Sequence, residues 1–207
     1  WRLKLDTQLI VESIREQALV GDIIFLGGND LIAKLIRFAQ ENQTPDGKPS
    51  LWSHVCLYLD KDMIAESTLG FEKYRNGSRW DNGVEYYSLE ERIKEAQNVA
   101  LVHMPITLKQ RHQLKLAIEQ LYLEGITYPV LGLIGSLLTY WLFPRWKNNP
   151  LDNEKKSLYC SAFVAKVYQS IGWSFNDQYA VDNVSPQLMW NSIVANPKCK
   201  VVQFYRQ

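Results

Sequence analysis

Three side chains in this sequence are of the kinds that together carry out acyl-group chemistry: Cys160, His54 and Glu66. Cys160 opens the run CSAFVAKVYQSI, in which Phe163, Val164, Val167 and Ile171 recur at helical spacing ahead of Gly172. A thiol in the first turn of a helix faces unpaired N–H groups and a partial positive charge, and both favour thiolate over thiol. The apolar stripe would anchor that helix against a sheet and give the thiol a rigid support. Position alone leaves a second reading open, in which Cys160 is a small buried apolar residue, as free cysteines often are.

His54 heads a run that is otherwise apolar, Val55 to Leu59. A histidine there is either a satisfied core residue or a general base for a nearby thiol. Glu66 sits between Ala65 and Ser67 in a second strand-like run, twelve residues after His54. The link Asp60-Lys61-Asp62 suits a tight turn. Pairing about it places Glu66 near Tyr58 or Cys56, with His54 a diagonal neighbour within reach of long side chains. A buried carboxylate needs a partner, and an imidazole N–H is one. In that role Glu66 would hold the tautomer of His54 and stabilise its cation. An exposed glutamate on an edge strand is the alternative. His103 and His112 lack a comparable setting and read as structural or exposed.

The elements that must position these groups follow from pattern. Leu9, Ile10, Ile14 and Ala18 predict a helix after Asp6, and 20–26 a buried strand broken by Gly27-Gly28. Asn29 or Asp30 caps a helix carrying Leu31, Ile32, Leu35, Ile36 and Phe38, and 42–50 is a polar loop. Strands are expected over 52–59 and 63–68, near 83–87 and 98–104, and at the closing 199–205. Residues 69–82 and 145–157 read as loops. Thr107 opens a helix to about 123 with Leu108, His112, Leu116 and Ile118 to Leu121 mostly on one side, and Ser185-Pro186 starts a short helix. Residues 125–144 carry no charge; Pro129, Gly132, Gly135 and Pro144 favour a buried or surface-docked helix over a membrane span.

Bulk properties narrow the function classes. The 207 residues suit one domain, 1–207, with a sizeable core. A net charge of +1 without a basic stripe argues against a nucleic-acid partner. Three cysteines, Cys56, Cys160 and Cys199, with no Cys-x-x-Cys pair, argue against a disulfide framework and a structural zinc site.

Four segments resemble the circularly permuted branch of the NlpC-like, papain-like cysteine peptidases, the YiiX/YebB-like group. Lecithin:retinol acyltransferase-like enzymes share its permuted order. Gly21-Asp22-Ile23-Ile24-Phe25 is similar to the family's "GD" strand, and Ser53-His54-Val55 with Leu57-Tyr58-Leu59 to its histidine strand. Met63-Ile64-Ala65-Glu66-Ser67 is similar to the next strand, and Tyr159-Cys160-Ser161-Ala162-Phe163-Val164 to the nucleophile helix. The match spans roughly residues 20–195, with histidine preceding cysteine by over a hundred residues. The resemblance implies an α+β, circularly permuted papain-like fold: an antiparallel half-barrel sheet packed against helices, with Cys160 and His54 meeting across the helix–sheet interface. It puts Glu66 in the orienting position, where the acyltransferase-like relatives use a second histidine. It marks 29–50 and 129–150 as insertions, and Tyr128 as an oxyanion-site candidate whose alternative is an ordinary half-buried tyrosine.

The expected activity is a cysteine hydrolase that cleaves an amide or ester bond through a thioester on Cys160, with His54 as base. No metal or organic cofactor enters that chemistry. The apolar stretch 130–143, with Tyr140, Trp141 and Phe143 ahead of Arg145, Trp146 and Lys147, favours a lipid or N-acyl substrate and membrane-surface contact through 130–147. A cell-wall or other peptidase, an acyltransferase, and a non-catalytic binding module on the same fold are the competing readings.

Overall fold

The computed structural model describes residues 6–60, 62–68, 83–126, 158–176 and 180–205. The strand-like runs become six strands: β1 (Ile23–Gly28), β2 (His54–Asp60), β3 (Met63–Thr68), β4 (Gly83–Ser88), β5 (Ala96–His103) and β6 (Lys200–Tyr205). They form one sheet in the order β4-β3-β2-β1-β5-β6, with every neighbouring pair antiparallel. The helices are α1 (Thr7–Gln17), α2 (Leu31–Ala39), α3 (Leu89–Glu95), α4 (Leu108–Leu123), α5 (Cys160–Gln169) and α6 (Pro186–Val194). Short 3₁₀ turns cover Glu41–Gln43 and Val181–Asn183. The class is α+β, an antiparallel sheet against helices, as the sequence predicted.

Period-2 alternation gives each strand two faces, and each face has its own apolar layer. Phe25, Val55, Leu57 and Ala65 pack with Phe163, Val164 and Val167 of α5, Leu114 and Ile118 of α4, and Met189 of α6. Ile24, Cys56, Tyr58 and Ile64 pack on the other side with Ile10 and Ile14 of α1 and with Leu89 and Ile93 of α3. Helix α5 is buried almost all round rather than along one stripe, because it lies under the sheet. Trp52, just before β2, meets Trp190 of α6 at a ring-centroid distance of 4.7 Å, and Phe25 joins both.

Two local expectations, for Gly27-Gly28 and for α4, are corrected, and the structure adds α3 and the outward face of α2. Gly27-Gly28 does not break β1 but belongs to it. Gly28 N–H donates to Ser53 Oγ at 2.9 Å, and a Cβ on Gly27 would collide with the Leu51 carbonyl, so the glycines admit a close backbone approach. Helix α3 was not foreseen, although Ser88 and Glu91 are spaced as a helix start and Ser88 Oγ accepts from Glu91 N–H. On α4, Ile118 of the expected side is buried, but Leu108 and Leu116 are exposed, and Arg111 and Leu114 complete the inner face instead. On α2 only Ala33 and Ala39 are buried, so Leu31, Ile32, Leu35 and Phe38 face outward.

The α4 rotation has a cause. Asp22 is fully buried ahead of β1, and Arg111 reaches in to it at 2.8 Å. The guanidinium also donates to the carbonyls of Val20 at 2.6 Å and Met104 at 3.1 Å. His103 Nδ1 lies 2.8 Å from the other Asp22 oxygen, which is the structural role expected of His103. Tyr168 of α5 donates to the Gly21 carbonyl at 2.5 Å, tying the far end of the helix to the same corner. Replacing one partner of a buried ion pair strands the other, at a cost of about 3–5 kcal/mol. Arg111→Met is therefore expected to lower stability by about that amount in urea unfolding. An unchanged midpoint would show that the corner contributes nothing.

Candidate functional site

Tyr159 takes extended backbone angles and serves as N-cap, so Cys160 is the first residue of α5. The helix's first internal bond runs from Phe163 N–H to Tyr159 C=O at 2.8 Å. The N–H groups of Cys160, Ser161 and Ala162 therefore have no carbonyl a turn back within the helix. Ser67 of β3 holds this start in place by donating to the Leu158 carbonyl at 2.5 Å. Cys160 itself is 4% exposed.

His54 is the first residue of β2 and pairs with Leu26 of β1. Its ring nitrogen Nε2 lies 2.7 Å from Glu66 Oε2, which leaves Nδ1 as the nitrogen free to face the thiol. The imidazole is within hydrogen-bonding and electrostatic reach of Cys160. Burial pushes the His54 imidazolium down, but the interactions with Cys160 and with the Glu66 carboxylate outweigh it and raise the pKa to about 9. The side chain keeps 20% exposure, so it is the point of the trio nearest solvent.

Glu66 has no exposure at all. The β2–β3 register pairs Leu57 with Ala65, so Glu66 follows diagonal to His54, as the hairpin argument required. Its carboxylate is divided between two cations. Oε2 goes to His54, and Oε1 accepts from Arg92 Nε at 3.1 Å and from Arg92 Nη2. Burial pushes the Glu66 carboxyl up, yet His54 and Arg92 bring it below the ordinary carboxylate value. Cys56 shows the opposite case: burial, with the Glu66 charge nearby, drives its thiol well above the usual range. Burial also raises Cys199.

The structure thus brings together Cys160, His54 and Glu66. Arg92 is the component that sequence reasoning missed, because α3 itself was missed. The Ser88-x-x-Glu91 spacing was the available signal. Tyr128 and the stretches 129–150 and 130–147 lie outside the described residues. Among the described residues no group of three or more His, Cys, Asp or Glu side chains could hold a metal ion. Both Glu66 oxygens are already engaged, so the site does not fit a metal and no step is routed through one.

Opposite charge near an imidazole shifts its pKa by about 1–3 units. NMR titration of His54 is therefore expected to give a midpoint near 9, falling by about one unit or more in Glu66→Gln. Because the folded value lies above the ordinary 6.5, the stabilisation from this group is complete below about 6.5 and is lost as pH rises through about 9. A wild-type midpoint near 6.5 would contradict the arrangement.

No family model matches the sequence, and no curated protein does. In three dimensions the chain is similar to the crystal structure of the metalloprotein YiiX from Escherichia coli O157:H7. The TM-score is 0.59 at 18% identity, over 92% of this chain and 99% of that one. At that identity the likeness establishes the fold: this chain has the α+β architecture of YiiX.

Proposed function

We propose that the protein is a cysteine hydrolase that cleaves an amide or ester bond through a thioester on Cys160. One observation carries the reading: a helix-start thiol lies beside an imidazole whose other nitrogen is held by a fully buried carboxylate. The YiiX fold is consistent with a papain-like hydrolase family.

His54 takes the Cys160 proton as the reaction begins. The Cys160 thiolate attacks the carbonyl carbon, forming a C–S bond and moving the π electrons onto oxygen. The N–H groups at the start of α5 are placed to stabilise that oxyanion. As the carbonyl re-forms, the C–N or C–O bond breaks, and the His54 imidazolium protonates the leaving amine or alcohol. His54, now neutral, takes a proton from water as its oxygen attacks the thioester. The C–S bond breaks, and the acid product leaves with the thiolate–imidazolium pair restored. Glu66 keeps the imidazole oriented and balances its charge throughout.

A lipid or N-acyl group is the preferred substrate. The sequence stretch 130–143 is largely apolar, and the outward residues of α2 add a second apolar surface. Helix α2 follows β1 in the chain and packs against it, and β1 pairs with the strand that begins with His54. Leu31 and Leu35 on this helix are 73% and 53% exposed. Long acyl chains are recognised by such surfaces, whereas a muropeptide demands polar groups.

Brief iodoacetamide treatment of the native protein near pH 7, read by peptide mass, tests the nucleophile. Cys160 is expected to react at least tenfold faster than Cys56, and His54→Ala to slow it by about 10²-fold. Equal rates for the two thiols would overturn the assignment and favour a binding module. Intact-mass trapping of acyl-Cys160 with phospholipid or with muropeptide then separates lipid hydrolase from peptidase. Product analysis with an added alcohol or amine acceptor identifies acyl transfer.

A further inference from the structure

Arg92 stands outside the three groups that acyl chemistry uses, yet it is built into the site as firmly as they are. It comes from α3, in the apolar layer opposite α5, and its side chain is 14% exposed. Nε and Nη2 both donate to Glu66 Oε1, and Nη1 donates to Glu95 Oε2 at 3.0 Å. The guanidinium carbon lies 4.6 Å over the Tyr87 ring. Contacts from α3 and β4 thus orient the guanidinium toward Glu66.

The charge logic gives this contact a purpose. A fully buried carboxylate paired only with an imidazolium has two ways to exist. It can stay ionic, or it can take the imidazole proton and leave two neutral groups, which a dry environment favours. The second state would strip His54 of its charge and the Cys160 thiolate of its counterion. A guanidinium cannot lose its proton at any ordinary pH. If Glu66 became neutral, Arg92 would be left half-balanced beside it, so Arg92 makes that state costly.

We propose that Arg92 is a positioning residue that keeps Glu66 ionised and thereby sets the pH range over which Cys160 and His54 form a thiolate–imidazolium pair. The inference rests on the nucleophile reading above and adds to it the control of the pair from the opposite layer of the sheet. Among the described residues, the titratable and charged groups around Glu66 are His54 and Cys56 from β2; Tyr87 from β4, with Glu85 opposite Glu66 in the ladder; Arg92 and Glu95 from α3; and, beyond His54, Cys160 from α5. Cys56 stays protonated, since burial raises it. Among these groups Arg92 is the permanent cation.

The test is the rate of Cys160 carbamidomethylation from about pH 4 to 10, in the whole protein with iodoacetamide as probe. Arg92→Gln keeps an N–H donor for Glu66 but removes the charge. It is expected to move the acidic limb of Cys160 reactivity up by about one pH unit, a tenfold loss of rate on that limb. Arg92→Lys, which keeps the charge, should hold the limb within a few tenths of a unit of wild type. A lower rate or a lower melting temperature with the limb unmoved would mean that Arg92 only supports the fold, and would overturn the proposal. If Arg92→Gln does not fold, Glu95→Gln decides. It removes a competing anion from Arg92 and should shift the limb down by a few tenths; no shift, or an upward one, overturns the proposal. The two ideas fail separately. A wild-type Cys160 no more reactive than Cys56 at any pH sinks the nucleophile itself, whereas a reactive Cys160 with an unmoved limb sinks only the role of Arg92.

Discussion

A carboxylate with no access to water is the constraint around which this site is built. Glu66 lies inside the sheet's packing, and two basic side chains share it, one per oxygen, which favours its ionised form. Each cation comes from a different structural source. His54 belongs to the neighbouring strand and faces the α5 side through Cys160; Arg92 belongs to α3 on the other side. One buried charge therefore couples both apolar layers to the thiol. Much of the surrounding structure, including the hairpin register, the placement of α3 and the anchoring of Leu158 by Ser67, serves to keep these groups within hydrogen-bond distance.

The corner around Asp22 makes an instructive comparison. It too holds a fully buried carboxylate between a histidine and an arginine, His103 and Arg111. There the carboxylate also accepts backbone N–H groups from Leu19 and Met104, and no cysteine thiol is bonded to His103 among the described residues. The same trio of residue types thus closes a chain reversal in one place and supports a thiol in the other. What separates them is the helix start. Helix α5 runs between the two clusters, with Cys160 at one end and Tyr168 bonded to Gly21 at the other. Its fixed length holds the thiol at a set distance from the Asp22 corner.

The outward apolar face of α2 belongs to a different part of the design. A helix whose large apolar residues point to solvent contributes little to the core, and here only two alanines anchor it from within. Its position is kept instead by polar bonds. Arg37 Nε donates to the Ser50 carbonyl at 2.7 Å, and the side chain of Gln40 receives Gln187 N–H at 2.8 Å, linking α2 to α6. Such polar fastening leaves the apolar face of α2 exposed.

The sequence by itself determined the elements and the three residue types. Short apolar runs bounded by turn residues marked the strands, helical spacing or caps marked α1, α2, α4, α5 and α6, and the short link between β2 and β3 set Glu66 diagonal to His54. These are local or hairpin-range properties, written in neighbouring residues. Which face of α2 and α4 turned inward was decided only by tertiary contacts, because Arg111 went to a buried charge that lies 89 residues away in the chain. The Glu66–Arg92 bond spans 26 residues and depends on the unforeseen α3, and the meeting of Cys160 with His54 spans more than a hundred. Periodicity carries no information about such pairings. Burial made the charges seek each other, and only the folded sheet, with a helix on each side, brought them together.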